Sequence, residues 1–303
     1  MKRFFRLTVG VLLFFSVFFC AQKNDTNETI LKGKMELLVD ETVLPIIEDQ
    51  KVVFENTYDA KLTLEPKSEA ELIQSLLKDS SKVAVLSRKL SEKEKQHFIA
   101  KKIVPKVTFI ATDAIAFIVN KNNIDTLIEL KSVLDFMKGN TQQKFKGLVF
   151  DNPNSSTVRY MKELAKIDFE SQKGVYSFKT NEEVIKYVAE NEGMIGVVGV
   201  NWLSQSSETM AHWKNKTKVM SVKGVNSEEF VYPTQNNLAE KKYPLARDLY
   251  IVNCQGYSGL AMGFASFVAG EIGQRIVLKS DLLPAKMPSR KIVLRKGILK
   301  ENK

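Results

Sequence analysis

Three short polar segments, each directly before a predicted helix, hold the side chains of this 303-residue chain that could bind a small anion: Asp40-Glu41-Thr42, Ser87-Arg88 and residues 154–157 (NSST). The first backbone N–H groups of a helix have no partner inside the helix, and the positive end of the helix dipole lies beside them. Hydroxyl groups and an arginine fork add donors that suit a tetrahedral oxyanion. The same residue types are also ordinary helix N-caps, so these segments alone leave both interpretations open.

Patterns typical of catalysis or metal binding do not occur in the sequence. Its two histidines, His97 and His212, lie in polar, lysine-containing segments that are typical of a protein surface. The G-x-S-x-G, P-loop and H-E-x-x-H motifs are absent from the chain. Two cysteines are too few for a four-ligand zinc site. We therefore expect no enzymatic activity, no cofactor and no metal.

Short apolar strands alternate with helices along most of the chain, which predicts a mostly parallel sheet covered by helices. Two helices begin with a capping box, formed by Ser68 with Glu71 and by Ser91 with Glu94. The predicted strands cover residues 35–39, 60–64, 82–86, 106–120, 147–150, 194–198, 218–222 and 248–252, and the predicted helices cover residues 41–56, 68–79, 91–100, 128–138, 155–165, 182–191 and 260–278.

Two extended segments predict that the chain passes twice between two lobes. The segment 106–120 is much longer than the mean strand of about 5–6 residues, and a second apolar, extended segment lies near 245–253. We therefore assign residues 34–108 together with 248–303 to lobe 1 and residues 109–247 to lobe 2. Two lobes joined in this way form a cleft between them.

The amino terminus predicts export from the cytoplasm. Residues 1–19 combine a basic start with an apolar run that is too short to span a bilayer, which takes about 20 residues. The run ends at Cys20, which we predict becomes the acylated first residue, with residues 20–33 as a polar tether. Ordinary cleavage after Ala21 stays open, because Phe19 stands where lipoprotein signals usually carry a small residue. Cys254 follows an apolar run, which predicts a buried thiol.

The formal net charge of +10 does not predict nucleic-acid binding. Removing Lys2, Arg3 and Arg6 with the signal lowers the number of basic residues from 45 to 42, against 35 acidic residues. The remaining lysines are scattered and mostly interleaved with glutamates, as on a solvated face. The most basic cluster is the carboxyl-terminal segment 289–303, which predicts either a last strand with a basic edge or an exposed tail that contacts a membrane or a partner.

Five segments, in order along about 200 residues, resemble the phosphate-binding proteins of the phosphate-specific ABC transport family. They are VAVLSRKLSEKE (83–94), TDAIAFIVNKNNIDTLIELKSVLDFMKG (112–139), NEGMIGVVGVNWL (191–203), YPLARDLYIVN (243–253) and GFASFVAGEIGQRIVLKSDLLPAK (263–286). The resemblance implies a two-lobed type II periplasmic-binding-protein fold of the α/β class, with two mixed sheets, flanking helices and two crossover strands. It further implies a monomer that captures inorganic phosphate in the cleft and delivers it to an inner-membrane ABC permease.

The resemblance also assigns the ligand-binding residues. Thr42 matches the last threonine of the family's first loop, Ser87 and Arg88 match its Ser-Arg loop, and Ser155 to Thr157 match its Ser-Gly-Thr loop, with Ser156 in place of glycine. Asp40 and Glu41 stand where the family has serine and threonine, so two carboxylates replace hydrogen-bond donors.

Asp151 is a further departure from the family, because it stands where many members place an arginine. A phosphate dianion beside several carboxylates is repelled by a few kcal/mol unless a cation intervenes, and Arg88 is the strongest candidate for that cation. Two alternatives therefore stay open: the same fold binding another small oxyanion or solute, and an envelope interaction lipoprotein with a degenerate cleft.

Overall fold

The computed structural model describes residues 28–168, 172–204 and 208–289. The predicted signal, Cys20, the first part of the tether and the tail from residue 290 onwards lie outside the described residues. The last part of the predicted tether is folded. The first strand of the protein begins at Lys32, and the backbone N–H of Leu260 donates to Glu28 Oε1 at 2.8 Å. The prediction of a tether extending to residue 33 is therefore wrong for this end of the segment. Within the described ranges, no helix is long and apolar enough to cross a membrane.

The strands follow the predicted order. They are β1 (Lys32–Asp40), β2 (Asp59–Lys67), β3 (Val83–Leu86), β4 (Lys106–Asn120), β5 (Leu127–Glu129), β6 (Gly147–Phe150), β7 (Val175–Ser177), β8 (Met194–Gly199), β9 (Thr217–Val219), β10 (Ser221–Lys223), β11 (Phe230–Val231), β12 (Ala246–Asn253) and β13 (Leu283–Pro284).

The helices alternate with these strands, and a 3₁₀ turn (Glu41–Val43) precedes the first of them. They are α1 (Leu44–Thr57), α2 (Glu69–Lys78), α3 (Glu92–Ala100), α4 (Leu130–Met137), α5 (Ser156–Ala165), α6 (Asn181–Glu190), α7 (Val200–Ser204), α8 (Glu208–Lys214), α9 (Gln235–Ala239), α10 (Leu260–Ala269) and α11 (Glu271–Lys279).

The main sheet is continuous through both halves of the molecule, in the order β2-β1-β3-β12-β4-β8-β6-β7, and β9 and β13 also pair with β4. Pairing is parallel among β2, β1 and β3 and among β8, β6 and β7, as expected where helices connect successive strands. The two long strands between these groups, β4 and β12, pair antiparallel with each other. The two mixed sheets expected from the sequence are thus joined, because β4 is long enough to pair with β12 and then with β8.

The hydrophobic core divides into two halves, each with apolar clusters on both faces of its part of the sheet. In the first half, Leu37 and Leu38 on β1 belong to opposite clusters, because successive side chains of a strand point to opposite faces. In the second half, Phe117 and Ile118 on β4 are divided in the same way. Each half is therefore a helix–sheet–helix sandwich, which confirms the predicted fold class.

The core changes from one half to the other within three residues of β4, because Ala111 packs in the first half and Ala114 in the second. On the return strand, Leu245 packs in the second half and Leu249 in the first. The lobe limits assigned from the sequence stay a prediction, but both crossings lie where β4 and β12 run side by side. Residues at this point face the boundary between the two cores.

Local sequence signals explain where several helices begin. Both predicted capping boxes are present, at the starts of α2 and α3, and Ser155 caps α5 by accepting from the backbone N–H of Val158 at 3.2 Å. The segment 260–278, predicted as one helix or as a helix pair broken near Gly270, is the pair, with Gly270 between α10 and α11.

One predicted strand, 218–222, is instead two short strands on either side of Met220. The first, β9, pairs with β4, and the second, β10, pairs with β5 and β11 in a separate small sheet. The predicted helix 128–138 starts two residues later for the same reason, since Ile128 pairs with Val222 as part of β5.

Candidate functional site

The candidate site is a buried polar cluster where β4 and β12 cross between the two halves. Residues from the segments that start α1, α5 and α7 and from both crossover strands meet there. The apolar clusters described above surround them. The fully or almost fully buried polar residues of this cluster are Asp40, Thr42, Asp113, Asp151, Ser155, Ser156, Thr157, Asn201 and Arg247.

The first polar segment enters the cluster from the end of β1. Thr42 donates from its backbone N–H to Asp40 Oδ1 at 3.1 Å and from its hydroxyl to the same oxygen at 2.9 Å. Its carbonyl oxygen accepts from Asn201 Nδ2 at 2.9 Å and from Trp202 Nε1 at 3.1 Å, both on α7 of the second half. These hydrogen bonds fix the start of α1 against the opposite half of the molecule.

The third polar segment forms the start of α5, on the other side of the cluster. The hydroxyls of Ser156 and Thr42 are 2.8 Å apart, which brings the first and third predicted segments into direct contact across 114 residues of chain. Ser155 has a different environment, since its hydroxyl donates a very short hydrogen bond to Asp151 Oδ1 while it caps the helix. Ser156 and Thr157 are therefore the hydroxyls of α5 that face the center of the cluster.

Arg247, on β12, is the buried cation of the site. Its Nε and Nη2 donate to Asp113 Oδ2 at 3.0 and 2.8 Å, and its Nη1 donates to the hydroxyls of Ser156 and Thr157 at 3.1 and 3.2 Å. A guanidinium presents several donors in a rigid plane, so one side chain can bind a carboxylate and two hydroxyls at once.

Sequence reasoning missed Arg247 as a site residue. The sequence feature that could have identified it is an arginine inside the extended segment that was predicted to cross between the lobes. Arg247 and Asp113 are cross-strand neighbours in the antiparallel pair of β12 and β4, but that register depends on a contact between residues 134 positions apart. Asn181, Asn201 and Trp202 were also missed, and no pattern in the sequence distinguishes them from ordinary polar or aromatic residues.

Several carboxyl groups surround this single buried guanidinium. Asn181 joins two of them across the halves, because its Nδ2 donates to Glu41 Oε2 at 2.9 Å and to Asp151 Oδ2 at 3.1 Å. Burial raises the pKa of Glu41 to about 8, and the nearby Asp151 acts in the same direction. Burial likewise raises the pKa of Asp151 to about 7. The pair therefore holds protons near neutral pH.

Asp40 and Asp113 are the two carboxyl groups whose charges interact most strongly with the Arg247 guanidinium. Burial raises the pKa of each of them, whereas the Arg247 guanidinium lowers it. The cluster thus combines hydroxyl and guanidinium donors with an excess of acidic groups, which suits an oxyanion only where protons or cations balance the charge.

The second predicted segment lies beside the cluster rather than in its hydrogen-bond network. Arg88 donates from Nε to Glu69 Oε1 at 2.7 Å and from Nη1 and Nη2 to the two carboxylate oxygens of Glu94 at 2.8 Å. The cation expected from the sequence to neutralise a ligand is therefore engaged by two glutamates, and Arg247 is the guanidinium at the center of the cluster. Ser87 is buried, and its hydroxyl makes no hydrogen bond.

An open groove of about 790 Å³ leads along the boundary between the halves beside the cluster. Arg88, Glu69 and Ala70 line it from the first half, and Ser155 and Arg159 line it from the second. Ser155 is the residue of the buried cluster that also lines this groove.

The remaining chemistry-bearing residues do not form a second center in the described part of the chain. No group of three or more His, Cys, Asp and Glu residues there is arranged to hold a metal ion. Cys254 is buried with a free thiol, as predicted, and burial raises its pKa to about 12.

The chain is similar to known proteins of one family. A family model described as a PBP superfamily domain matches residues 26–271. The phosphate-binding protein PstS of Borreliella burgdorferi is 26% identical over 282 residues, which covers 87% of this chain and 93% of that protein.

Solved structures show the same fold. A structure described as a phosphate ABC transporter substrate-binding protein with bound phosphate, from Clostridium perfringens, has a TM-score of 0.69 at 20% identity and covers 84% of this chain and 100% of that one. An ABC-type phosphate transport receptor from Vibrio cholerae has a TM-score of 0.61 at 17% identity, with 84% and 100% coverage. At these identities the structures establish the fold, and the family resemblance expected from the sequence is confirmed.

Proposed function

The chain belongs to the PBP superfamily, and from this premise we propose that it is an extracytoplasmic solute-binding protein that captures inorganic phosphate and delivers it to an ABC importer. The proposal extends to this chain what its relatives are named for. Its role is binding rather than catalysis, in keeping with relatives that are named as binding proteins.

One observation supports phosphate more than any other. The hydroxyls of Thr42, Ser156 and Thr157 come together beside the Arg247 guanidinium at the start of α5, in a site enclosed by both halves. Hydroxyls, a helix N-terminus and a guanidinium are the donors that bind a dehydrated tetrahedral oxyanion. Closure of the two halves over such a ligand is the motion expected of this architecture.

Calorimetry with inorganic phosphate tests the proposal directly. The protein is unfolded, dialysed to remove any phosphate that purifies with it, refolded and titrated. We expect a single site with a dissociation constant in the micromolar range or tighter. Absence of both binding heat and a thermal shift, in protein whose refolding is verified by circular dichroism, would contradict the proposal.

A second candidate is the same fold binding another small solute, and the acidic groups favour it. Asp40, Glu41 and Asp151 add acidic groups to the site, and each of them disfavours a dianion by like-charge repulsion when it is ionised. A thermal-shift panel with sulfate, an organophosphate and a cationic solute, each compared with phosphate at equal ionic strength, separates the candidates. Stabilisation by one of these solutes but not by phosphate would favour the second candidate.

We also propose that Cys20 carries a lipid that anchors the protein, as a periplasmic monomer, to the cell envelope, from where it delivers its solute to the permease. The apolar run that ends at Cys20 supports this location. Cells labelled with radioactive palmitate should yield a labelled wild-type protein and an unlabelled Cys20→Ala variant. Labelling that persists in Cys20→Ala would contradict acylation at this residue.

A further inference from the structure

The carboxylate of Asp40 occupies donors that an oxyanion in the candidate site would need. Its Oδ1 accepts both the backbone N–H and the hydroxyl of Thr42, at 3.1 and 2.9 Å. A carboxylate and a phosphate present the same kind of acceptor, a negatively charged oxygen. Asp40 and a bound oxyanion would therefore compete for the donors of Thr42.

Asp40 is also connected to the buried cation. The hydroxyl of Thr42 is 2.8 Å from that of Ser156, which accepts from Arg247 Nη1 at 3.1 Å. The charge of Arg247 is the main influence that lowers the pKa of Asp40 against the effect of burial. The carboxylate thus takes part of the electrostatic attraction that Arg247 would otherwise exert on a solute.

The other charged groups around Asp40 are acidic. Glu69 at the start of α2 and Asp151 after β6 act on it electrostatically, Glu41 is its neighbour in sequence, and Asp113 on β4 is paired with Arg247. Adding a phosphate dianion to this set leaves several negative groups to share one guanidinium. Removing a single carboxylate therefore has a large effect on the charge balance of the site.

Helix capping alone does not account for the position of Asp40. An N-cap carboxylate usually keeps its second oxygen in water. Asp40 is fully buried, and its Oδ2 makes no hydrogen bond. A buried carboxylate oxygen without a hydrogen bond is unfavourable, so the burial of Asp40 has a cost that capping alone does not require.

We propose that Asp40 is a resident anion that competes with the solute and thereby limits the affinity of the site for oxyanions. The inference rests on the proposed function, because it concerns the same anion site. Phosphate binds either by displacing the carboxylate from Thr42 or when Asp40 is protonated. Asp40 is thus a specificity-determining residue that weakens the binding of phosphate rather than strengthening it.

Two substitutions of Asp40 test the inference by phosphate calorimetry on the full chain. Asp40→Asn keeps the size of the side chain and removes its charge, and Asp40→Ser introduces a short hydroxyl that can still cap the helix. We expect both variants to bind inorganic phosphate at least about tenfold more tightly than the wild type, because one like charge has left the site. Cooperative thermal unfolding of each variant verifies that it is folded.

Asp59→Asn is the matched control for the loss of one negative charge. Asp59 lies at the start of β2 in the same half, is exposed and pairs with Lys32 at 2.8 Å, at the opposite end of β1 from Asp40. We expect its phosphate affinity to stay within about twofold of the wild type, since a screened surface charge contributes little.

The outcomes separate the inference from the proposed function. If the wild type binds phosphate and both Asp40 variants bind it equally or more weakly, the competition is contradicted, and weaker binding would show that Asp40 makes a favourable contact with the ligand. If the wild type and both folded variants fail to bind phosphate, the proposed function and the inference are both contradicted. Binding by the variants alone supports the inference, because it identifies Asp40 as the obstacle.

Discussion

Ser155 and Thr157 are two residues apart, yet their hydroxyls contact different groups. Ser155 caps α5 and donates to Asp151, whereas Thr157 accepts from Arg247 in the center of the site. The family resemblance assigned both to the ligand. The geometry gives them separable tasks, because only the second hydroxyl is shared with the buried cation.

Alanine substitutions of Ser155 and Thr157 should therefore affect different properties, the first stability and the second phosphate binding. We expect Ser155→Ala to lower the free energy of unfolding by about 0.5–2 kcal/mol through loss of the N-cap. Thr157→Ala should weaken phosphate binding by about 1.5–3 kcal/mol, the range for a hydrogen bond that involves a charged group. Urea unfolding and calorimetry measure the two effects. Equal loss of affinity in both variants would contradict this division.

The ion pair between Arg247 and Asp113 is buried, with side chains that are 2% and 0% exposed. Removing one partner leaves an uncompensated charge, so Arg247→Met should lower the free energy of unfolding by about 3–5 kcal/mol. The double variant Arg247→Met with Asp113→Leu should recover part of this loss, because it removes the unpaired charge of Asp113 and leaves Asp40 as the carboxyl without its guanidinium. Urea unfolding of the three proteins is the measurement, and a double variant no more stable than the single one would argue against this account.

The raised pKa of Glu41 makes stability depend on pH. Its pKa is about 8 in the folded protein against an ordinary value of 4.5, so between these values the folded state binds more protons than the unfolded state. The stabilisation is complete below about pH 4.5 and is lost as the pH rises through about 8. Thermal melts of Glu41→Gln should therefore show a smaller decrease in Tm from pH 5 to pH 8.5 than the wild type. An unchanged decrease would show that Glu41 does not carry this dependence.

At the scale of secondary-structure elements, α2 and α5 are joined across the two halves by charged side chains. Arg88 and Arg159 both donate from Nε to Glu69 Oε1 at 2.7 Å, one from each half, and the backbone N–H of Ala70 donates to the carbonyl of Asn154 at 3.2 Å. These contacts line the groove that leads to the site. They stabilise the closed arrangement of the two helices, and their loss should favour opening.

We expect Arg159→Ala to raise the dissociation rate of phosphate about 1.4- to fivefold, which corresponds to the 0.2–1 kcal/mol typical of a partly exposed ion pair. Arg275→Ala is a suitable control, because Arg275 pairs with Glu271 within α11 and does not join the halves. Stopped-flow fluorescence can follow dissociation, since Trp202 donates to the carbonyl of Thr42 at the site. Equal effects of the two substitutions would contradict a role of Arg159 in closure.

Elements specified by neighbouring residues could be predicted from the sequence, and contacts that depend on register could not. The capping boxes of Ser68 with Glu71 and Ser91 with Glu94 need only four consecutive positions, and both are present. Arg247 reaches Asp113 only because β12 and β4 pair in one particular register. The ion pairs of Arg88 show the same limit, since Glu69 lies 19 residues away and its orientation depends on the packing of α2.

At the scale of the whole molecule, both crossover strands pass through the candidate site. Asp113 on β4 and Arg247 on β12 are paired where the chain leaves one core and enters the other. A relative motion of the halves must bend these two strands, and it therefore acts on the ion pair that orients the guanidinium. Binding at the site and the arrangement of the halves are coupled through the same two residues.

Net charge acts over longer distances than these contacts. From Cys20 onwards the sequence has seven more basic than acidic residues, and the segment 290–303 holds six basic residues and one acidic residue. Most of the positive excess is therefore in this terminal segment. Because a positive exterior attracts anions over about one Debye length, roughly 30 Å at 0.01 M salt, we expect the segment to speed phosphate association.

Deleting residues 290–303 should therefore lower the association rate of phosphate at low salt and make it less dependent on ionic strength. Stopped-flow measurements of Trp202 fluorescence between 0.01 and 0.15 M salt, where the Debye length falls from about 30 to 8 Å, provide the comparison. A full-length variant with the six basic residues of the segment changed to glutamine should behave like the deletion if charge is the cause. An association rate that is unchanged in both variants at low salt would show that the cleft, with Arg247 at its center, attracts the anion without help from the basic segment.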